Sequence, residues 1–141
     1  MNVKDILSQK GDDVLTLEPA ATLETAMGIL AQRRIGAIVI TGADRRIVGI
    51  LSERDIMNRV VAVGRTPGTT AVSEVMTANP RAVAADESIE ECLFIMREFG
   101  FRHLPIVDGK DGKDLKGLVS LRDVLMHQAA ELERQARKAA S

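Results

Sequence analysis

The stretch Gly-Ile-Leu-Ser-Glu-Arg-Asp at residues 49–55 decides the fold, because it returns as Gly-Leu-Val-Ser-Leu-Arg-Asp at residues 117–123. Two shorter stretches recur as well: Asp5-Ile6-Leu7 returns as Glu74-Val75-Met76, and Thr22-Leu23-Glu24 returns as Ser88-Ile89-Glu90. The three offsets are 68, 69 and 66 residues, so only small loop changes separate the copies. Internal repetition at one period indicates a duplicated structural unit. We therefore predict two repeats, residues 1–69 and 70–126, followed by a C-terminal helical tail at 127–141.

The same order of elements, β-α-β-β-α, is predicted for each repeat. The first helix carries apolar residues at i, i+3, i+4 and i+7, here from Leu23 to Leu30, which is typical of a helix with one buried face. Short runs rich in Val and Ile between polar turns are typical of buried strands. The predicted elements of the first repeat are an extended segment at 14–17, a helix after Thr22, strands at 37–40 and 47–51, and a helix at 53–63; those of the second are an extended segment at 81–83, a helix after Ser88, strands at 104–107 and 115–119, and a helix at 121–137. The fold class is α/β, and a unit of about 60 residues needs the other repeat packed against it to cover its apolar faces.

The composition excludes several classes of function. The chain of 141 residues has 19 Lys and Arg against 20 Asp and Glu, a formal net charge of −1, so it lacks the basic surface of a general nucleic-acid binder. Its aromatic residues are Phe94, Phe99 and Phe101, too few to provide stacking platforms for single-stranded nucleic acid. No apolar run approaches the roughly 20 residues that span a bilayer, and the start does not resemble a signal peptide. We expect a cytoplasmic protein with no nucleic-acid or membrane partner.

The sequence offers no recognisable catalytic centre. It contains no nucleophile elbow, no phosphate-binding P-loop and no dinucleotide glycine fingerprint. Cys92, the single cysteine, lies on the apolar stripe of the second repeat's first helix, which predicts a core position rather than a nucleophile. His103 and His127 do not stand at metal-ligand spacing to Cys92, and the acidic loop at 108–114 lacks the ligand pattern of a calcium site. We expect no catalytic residue, no catalytic cofactor and no metal.

The repeated Gly-x-x-Ser-x-Arg-Asp motif carries the chemistry that remains. In each copy a strand ends and a helix begins at the Ser, and a helix N-terminus favours anions. The Asp, one helical turn on, can accept two hydrogen bonds from vicinal hydroxyls such as those of a ribose, and the Arg can neutralise a phosphate. The motif therefore indicates a nucleotide, and the candidate binding residues are Ser52, Arg54, Asp55, Ser120, Arg122 and Asp123.

A structural explanation of the same motif is available. Ser-x-x-Asp is also an ordinary capping box, in which the side chain of each residue binds the backbone N–H of the other. A capping box that is duplicated together with its repeat would recur at the equivalent place. The spacing alone therefore leaves both a nucleotide site and a helix cap open.

The two repeats resemble a tandem pair of CBS domains, the module named after cystathionine β-synthase. The resemblance runs from Val3 to about Leu125. It rests on Val-Lys-Asp-Ile-Leu at 3–7 and Val-Ser-Glu-Val-Met-Thr at 72–77, on Gly-Ala-Ile-Val-Ile at 36–40 and Arg-His-Leu-Pro-Ile-Val-Asp at 102–108, and on both Ser-x-x-Asp motifs. Stand-alone bacterial CBS-pair proteins are especially similar to this chain.

The resemblance implies an architecture and a function. Two pseudo-symmetric CBS repeats of order β-α-β-β-α would pack through their sheets about a pseudo-twofold axis and leave two clefts. Many members bind AMP, ADP, ATP, NAD or S-adenosylmethionine in these clefts and act as non-catalytic regulatory sensors in signal transduction, usually as homodimers. The expected ligand is an adenosine nucleotide such as AMP, ATP or NAD, and the expected partners are a second copy of the chain and an unidentified regulated protein.

The resemblance also assigns roles to particular residues. The motif Asp would hold the ribose, the motif Ser would lie near ribose or phosphate, and aliphatic groups and backbone would enclose the adenine. Residues that open the second strand of each repeat, and the first strand of the partner repeat, would complete the clefts. The positions that match are Ile35, Gly36, Ala37, Phe101, Arg102 and His103 for the former and Thr16 and Arg81 for the latter.

The two copies differ at these positions, which predicts unequal sites. Arg102 and His103 stand where the first repeat has Gly36 and Ala37, so phosphate-rich ligands should prefer a cleft that Arg102 and His103 line. The alternative for these two residues is that Arg102 pairs with a carboxylate and His103 merely packs. Two other functions stay open: a structural or protein-interaction dimer whose clefts bind nothing, and an enzyme that acts on nucleotides.

Overall fold

The computed structural model describes residues 2–11, 14–108, 112 and 114–140. The helices are α1 (Val3–Lys10), α2 (Leu23–Arg33), α3 (Glu53–Ile56), α4 (Ile89–Phe99) and α5 (Leu121–Ala140), and the strands are β1 (Thr16–Leu17), β2 (Ala37–Thr41), β3 (Ile47–Ser52), β4 (Thr77–Ala78), β5 (Val83–Ala84), β6 (His103–Asp108) and β7 (Asp114–Ser120). A π-helix at Met57–Val61 continues α3, and short 3-10 turns lie at Ala43–Arg45, Pro67–Thr69 and Val72–Glu74. None of the helices described is long and apolar enough to cross a membrane.

Two sheets form, one around each copy of the motif. The first has the order β1-β2-β3-β4 and the second β5-β6-β7; β1 is parallel to β2, β5 is parallel to β6, and the other neighbours are antiparallel. The register places Ala37 opposite Ser52 and His103 opposite Ser120. In both repeats, therefore, the residue near the start of the second strand lies beside the motif Ser.

Helices α2 and α4 begin where the sequence predicts. Thr22 Oγ1 accepts the backbone N–H of Thr25, and Ser88 Oγ accepts that of Glu91, so each helix has a side-chain N-cap. Each helix is followed by a residue in the left-handed conformation, Arg34 at φ 53° after α2 and Gly100 at φ 74° after α4. These left-handed residues turn the chain into β2 and β6 and set the position of the residues that open those strands.

The two repeats exchange their leading segments. Val3 and Ile6 of α1 are buried in the core of the second repeat, whereas Val72 and Val75 are buried in the core of the first. The Val3 N–H donates to the Glu87 carbonyl at 2.9 Å, and the Val72 N–H donates to the Ala21 carbonyl at 2.8 Å. Strand β4 continues the exchange by pairing with β3. The core of each repeat is thus completed by the leading residues of the other repeat.

The glycine that opens each motif makes room for this exchange. Gly49 lies against the side chain of Met76, and Gly117 lies against the side chain of Leu7. A Cβ at Gly117 would stand 2.7 Å from Leu7 Cδ2, closer than real side chains approach, and a Cβ at Gly49 would be closer still to Met76 Sδ. Leu7 and Met76 are equivalent in the repeat, so the same close contact is made twice.

The two repeats pack against each other through their sheets, as predicted. Val39 of β2 and Ile47 of β3 meet Val107 of β6 and Leu115 of β7 in one buried apolar cluster. The larger cores lie on the other side of each sheet, beneath the helices. The α/β class and the pseudo-symmetric arrangement of the two repeats are therefore confirmed.

Several element bounds differ from the prediction. The sequence pattern does not predict α1 or β4, because their partners lie in the other repeat and not next to them in the chain. Strands β1 and β5 have two residues each, shorter than the predicted segments at 14–17 and 81–83. Beyond Ile56 the closing helix of the first repeat is a π-helix, and α5 extends past the predicted end at 137. In the predicted loop at 108–114, residues 109–111 and 113 lie outside the described residues.

Candidate functional site

Two cavities contain residues of both repeats and meet at a shared wall. The larger has a volume of ≈ 1060 Å³ and the smaller ≈ 550 Å³, and Gly36, Arg102 and His103 line both. We call the larger one the cationic cleft, because its lining includes Lys10, Arg33, Arg34, Arg45, Arg102 and Arg122. We call the smaller one the aromatic cleft, because Phe99 and Phe101 line it together with the first motif, Ser52 to Asp55.

The first motif is a capping box that also faces the aromatic cleft. The Ser52 N–H and hydroxyl donate to Asp55 Oδ2 at 2.9 and 3.1 Å, and the Asp55 N–H donates to Ser52 Oγ at 3.2 Å. The Thr77 hydroxyl donates to the other carboxylate oxygen, Oδ1, at 3.3 Å. Asp55 is 8% exposed and yet lines the cleft. The two explanations of the motif are therefore compatible, because the cap fixes a carboxylate at the wall of a cavity.

The second motif is capped in the same way but meets a cation. The Ser120 N–H donates to Asp123 Oδ2 at 2.8 Å, and the Asp123 N–H donates to Ser120 Oγ at 3.1 Å. The Lys10 ammonium binds the same Oδ2 at 2.6 Å and the Leu118 carbonyl at 2.9 Å. Burial raises the pKa of Asp123, but the hydrogen bonds and charge of Lys10 and Ser120 outweigh it and leave the pKa lowered. Asp123 is thus a carboxylate whose negative charge already has a partner.

The wall of the aromatic cleft is built by the end of α4. The rings of Phe99 and Phe101 stack with centroids 5.9 Å apart and an angle of 17° between planes. The Arg81 guanidinium lies 5.6 Å from the centroid of the Phe99 ring, within the range of a cation–π contact. Phe101 and Arg81 were predicted for the site from the resemblance, whereas Phe99 was not. Beside the expected aliphatic groups and backbone, this cleft therefore offers aromatic surface.

The equivalent wall of the cationic cleft is charged. At the offset of 66 residues, Arg33 and Arg34 take the places of Phe99 and Gly100. Arg34 adopts the left-handed conformation that Gly100 adopts without a side chain, and such a conformation costs roughly 1–2 kcal/mol for a residue with a Cβ. Alignment of the two helix ends at this offset would have revealed both arginines. The structure adds Arg45, which no motif or offset in the sequence indicates.

The wall between the clefts depends on Gly36 and His103. A Cβ at Gly36 would stand 3.1 Å from His103 Cε1 and 3.2 Å from Nε2, so the glycine lets the imidazole lie close to the backbone. Burial lowers the pKa of His103, and the charge of Lys10 lowers it further; Asp123 and Glu53 raise it, and Arg102 lowers it least of all, so the pKa stays below its usual value. The imidazole is therefore mainly neutral at pH 7. Arg102 and His103 cannot distinguish the clefts by position, because they line both.

The predicted site residues divide between the clefts, with two exceptions. The aromatic cleft contains Ser52, Arg54, Asp55, Arg81 and Phe101; the cationic cleft contains Ile35, Ala37, Ser120 and Arg122; and Gly36, Arg102 and His103 belong to both. The first exception is Thr16, which pairs with Val39 in the sheet and is in neither lining. The second is Asp123, which is bonded to the cleft residue Lys10 without being part of the lining itself.

The cysteine takes no part in either cleft. Cys92 is fully buried in the core of the second repeat, as predicted. Burial, together with the charges of Glu87 and Glu91, raises the pKa of its thiol to about 11, so the thiolate that a nucleophile needs is scarce at neutral pH. Within the described part of the chain, no group of three His, Cys, Asp or Glu side chains is arranged to hold a metal ion.

Comparisons with known proteins agree with this architecture. The model of the CBS domain family matches residues 3–62 and 72–130. A CBS domain-containing protein from Arabidopsis thaliana is 35% identical over 124 residues, which is 88% of this chain and 22% of that relative. The chain spans about a fifth of the length of the first curated relatives that it matches, from Arabidopsis thaliana and Schizosaccharomyces pombe.

Solved structures extend the likeness to the whole fold. A CBS-domain containing protein from Agrobacterium tumefaciens is 34% identical with a TM-score of 0.81, and the match covers 91% of this chain and 99% of that one. A CBS domain protein from Pyrobaculum aerophilum, solved in complex with AMP, is 27% identical with a TM-score of 0.77 over 92% of this chain and 99% of that one. The chain therefore belongs to the CBS domain family and carries two CBS domains in tandem.

Proposed function

We propose that this chain is a regulatory module that binds adenosine nucleotides in the aromatic and cationic clefts and catalyses no reaction. The observation that carries the proposal is the setting of Asp55, a nearly buried carboxylate that Ser52 holds in a fixed orientation at the cleft wall. Such a carboxylate is a strong acceptor for the two hydroxyls of a ribose. The Pyrobaculum aerophilum relative, solved in complex with AMP, supports an adenosine ligand.

The aromatic cleft suits a nucleoside monophosphate such as AMP. Phe99 and Phe101 offer ring surface to the base, and stacking on an aromatic side chain contributes about 1–3 kcal/mol per base. Arg54 and Arg81 can neutralise one phosphate. Glu53 and Asp55 offset two of the four arginines in the described lining, which are Arg54, Arg59, Arg81 and Arg102. The net positive charge is therefore lower than in the cationic cleft, which disfavours a longer phosphate chain.

The cationic cleft suits a ligand with two or more phosphates, namely ADP, ATP or NAD. Its volume is about twice that of the aromatic cleft, and the charged side chains in its described lining are all basic. Arginine binds phosphate through paired N–H donors, and Arg33, Arg34 and Arg122 are distributed along the cavity. Phosphate-rich ligands were expected to prefer a cleft lined by Arg102 and His103; since both clefts contain these residues, the proposal rests the preference on the additional basic residues of the cationic cleft.

Regulation would follow from the position of both clefts against residues of the two repeats. A ligand that contacts both repeats stabilises the packing in which its contacts are best, and it shifts the population of conformations by its difference in affinity. An unidentified regulated protein would read that shift. A cytoplasmic location, expected from the sequence, stays a prediction.

We also propose a homodimer. The helices that follow the two motifs expose large apolar side chains: Met57, Val61, Leu125 and Met126 are between 47% and 60% exposed. Exposed apolar residues grouped on one element are typical of an interaction surface. Light scattering after size exclusion should give twice the chain mass, and Met57→Glu with Val61→Glu, at two positions that line neither cleft, should reduce it to the monomer mass. A monomeric wild-type protein would contradict this part of the proposal.

Isothermal titration calorimetry with AMP, ADP, ATP, NAD and S-adenosylmethionine tests the nucleotide sites. We expect Asp55→Ala to remove AMP binding at the aromatic cleft and to leave a site for ATP. Asp86→Ala is the matched control, because Asp86 is an exposed aspartate outside both linings. If none of the five ligands binds the wild-type protein, the interaction dimer whose clefts bind nothing becomes the better account. Conversion of a bound nucleotide into a new product would show an enzyme.

A further inference from the structure

Each motif aspartate, Asp55 or Asp123, is hydrogen-bonded by a side chain of an exchanged segment, and the two side chains differ in charge. Thr77, which follows the exchanged turn at Val72–Glu74, donates a hydroxyl to Asp55 at 3.3 Å. Lys10, which ends the exchanged helix α1, binds Asp123 with its ammonium at 2.6 Å. One carboxylate therefore has a neutral partner with a long hydrogen bond, and the other has a cation with a short one.

The Lys10 side chain is held on both sides of its ammonium. Besides Asp123 Oδ2 it binds the Leu118 carbonyl of β7 at 2.9 Å, so two strong acceptors fix it at the edge of the second sheet. Lys10 is part of the lining of the cationic cleft, whereas Asp123 is not. In the aromatic cleft the corresponding carboxylate, Asp55, is itself part of the lining.

We propose that Lys10 is a specificity-determining residue of the cationic cleft, where its ammonium occupies Oδ2 of Asp123 and makes the cleft prefer nucleotides that carry phosphate over adenosine. The proposal rests on the proposed function of that cleft. The Asp123 side chain is 24% exposed, but a ribose that bonds to both of its carboxylate oxygens has to displace the ammonium from Oδ2. A nucleotide with a phosphate chain offers the ammonium a new anionic partner, whereas adenosine offers none and leaves the ion pair broken without compensation.

The Lys10 ammonium can pass from Asp123 to a phosphate without movement of helix α1. Its aliphatic stem starts at the end of α1, whose Val3 and Ile6 are anchored in the second core, so the helix itself need not move. Arg122 belongs to the second motif, and both Lys10 and Arg122 line the cationic cleft. A phosphate bound by Arg122 would therefore lie in the same cavity as the released ammonium.

The test compares adenosine with ATP in proteins that have only the cationic cleft available. All titrations use the full chain with Asp55→Ala, so that the aromatic cleft does not contribute heat. Lys10→Met keeps the length and the apolar stem of the side chain and removes the charge. Lys4→Met is the matched control, because Lys4 is an exposed lysine of the same helix and lines neither cleft. The midpoint of thermal unfolding and the circular dichroism spectrum of each variant establish that it is folded.

We expect Lys10→Met to bind ATP about tenfold more weakly and adenosine about tenfold more tightly than the Lys10 protein, a loss of preference of about 100-fold. Lys10→Arg should keep the preference for ATP, and Lys4→Met should change neither constant. The proposal is wrong if the ratio of the two dissociation constants stays within threefold in Lys10→Met, whether both constants change together or neither changes. If the parent protein binds neither ligand, the nucleotide function of the cationic cleft fails instead, which is a different result.

Discussion

The C-terminal ends of α2 and α4 occupy equivalent places and build different cleft walls. Helix α4 ends in two stacked phenylalanines around a relaxed left-handed glycine, Gly100. Helix α2 ends in Arg33 and a left-handed Arg34, a conformation that costs energy and places a second guanidinium at the cleft. Under the proposed function, the two capped motifs that would hold the ribose stay alike, whereas the two helix ends, which would meet a base in one cleft and phosphates in the other, differ.

Removal of one aromatic ring should give the largest effect on this comparison. Phe101→Ala takes away half of the stacked pair, so AMP should bind the aromatic cleft about thirtyfold more weakly, equivalent to ~2 kcal/mol. ATP binding at the cationic cleft should stay constant. Phe94→Ala is the control, since Phe94 is an exposed phenylalanine of α4 that lines neither cleft. If calorimetry shows that Phe101→Ala weakens the binding of AMP and of ATP equally, the two cleft walls do not bind different ligands.

A methyl group at Gly49 should test the close contact between the motif glycine and the exchanged segment, which occurs in both repeats. Gly49→Ala places a Cβ against Met76, and overpacking of this kind costs about 1–3 kcal/mol of the free energy of unfolding. Chemical denaturation measures it. In the double variant with Met76→Ala the two losses should fail to add by about 1 kcal/mol, because the clash is gone. Additive losses would argue against the exchanged contact.

Replacement of the strained arginine should have a smaller and opposite effect on stability. Arg34→Gly relieves the left-handed conformation and should raise the free energy of unfolding by about 1 kcal/mol. The same change should weaken ATP binding and leave AMP binding constant. Gly100→Arg is the reciprocal variant and should lower stability by a similar amount. A fall in stability for Arg34→Gly would show that the arginine side chain makes contacts worth more than the strain.

His103, in the wall shared by the two clefts, should give the smallest effect, which is a pH dependence of stability and of nucleotide binding. The pKa of His103 is lowered in the folded protein, so below pH 6.5 the unfolded chain binds a proton that the folded chain does not. Stability should therefore fall as the pH drops through 6.5 and stop falling below the folded pKa. A phosphate beside the imidazole favours its charged form, so nucleotide binding at pH 6 should take up a proton, measurable in buffers of different ionisation enthalpy. His103→Gln should abolish both effects; proton uptake that persists in it would assign the effect to another group.

The sequence predicted what is encoded locally and repeated. Strands β2, β3, β6 and β7, the helices after Thr22 and Ser88, and the two capped motifs follow from periodicity and from the offset between copies, and the structure has them at the predicted places. The pairing of β2 with β3, and of β6 with β7, brings Ala37 to Ser52 and His103 to Ser120. Neighbouring strands joined by short turns make such contacts predictable from the chain order.

The sequence did not predict contacts that join distant parts of the chain. Val3 and Ile6 show helical spacing, but nothing local indicates that their partners are Ile89 and Leu104. The role of Lys10 depends on that same docking, since only the placement of α1 brings its ammonium to Asp123. A surface lysine after a short apolar pattern is otherwise indistinguishable from one that binds solvent alone.

The exchange of leading segments has a consequence for how the protein is made. The first helix leaves the ribosome long before its docking site is synthesised, because 108 residues separate Lys10 from Leu118. Contacts of such separation raise the contact order and slow folding, since a long loop must close before they form. Neither domain has its complete core until both are present, so we expect one cooperative unfolding transition and no stable fragment from cleavage between residues 63 and 70. The units of a tandem repeat can usually fold one after another. The two domains of this chain are expected to fold as one cooperative unit, because each core needs residues of the other domain.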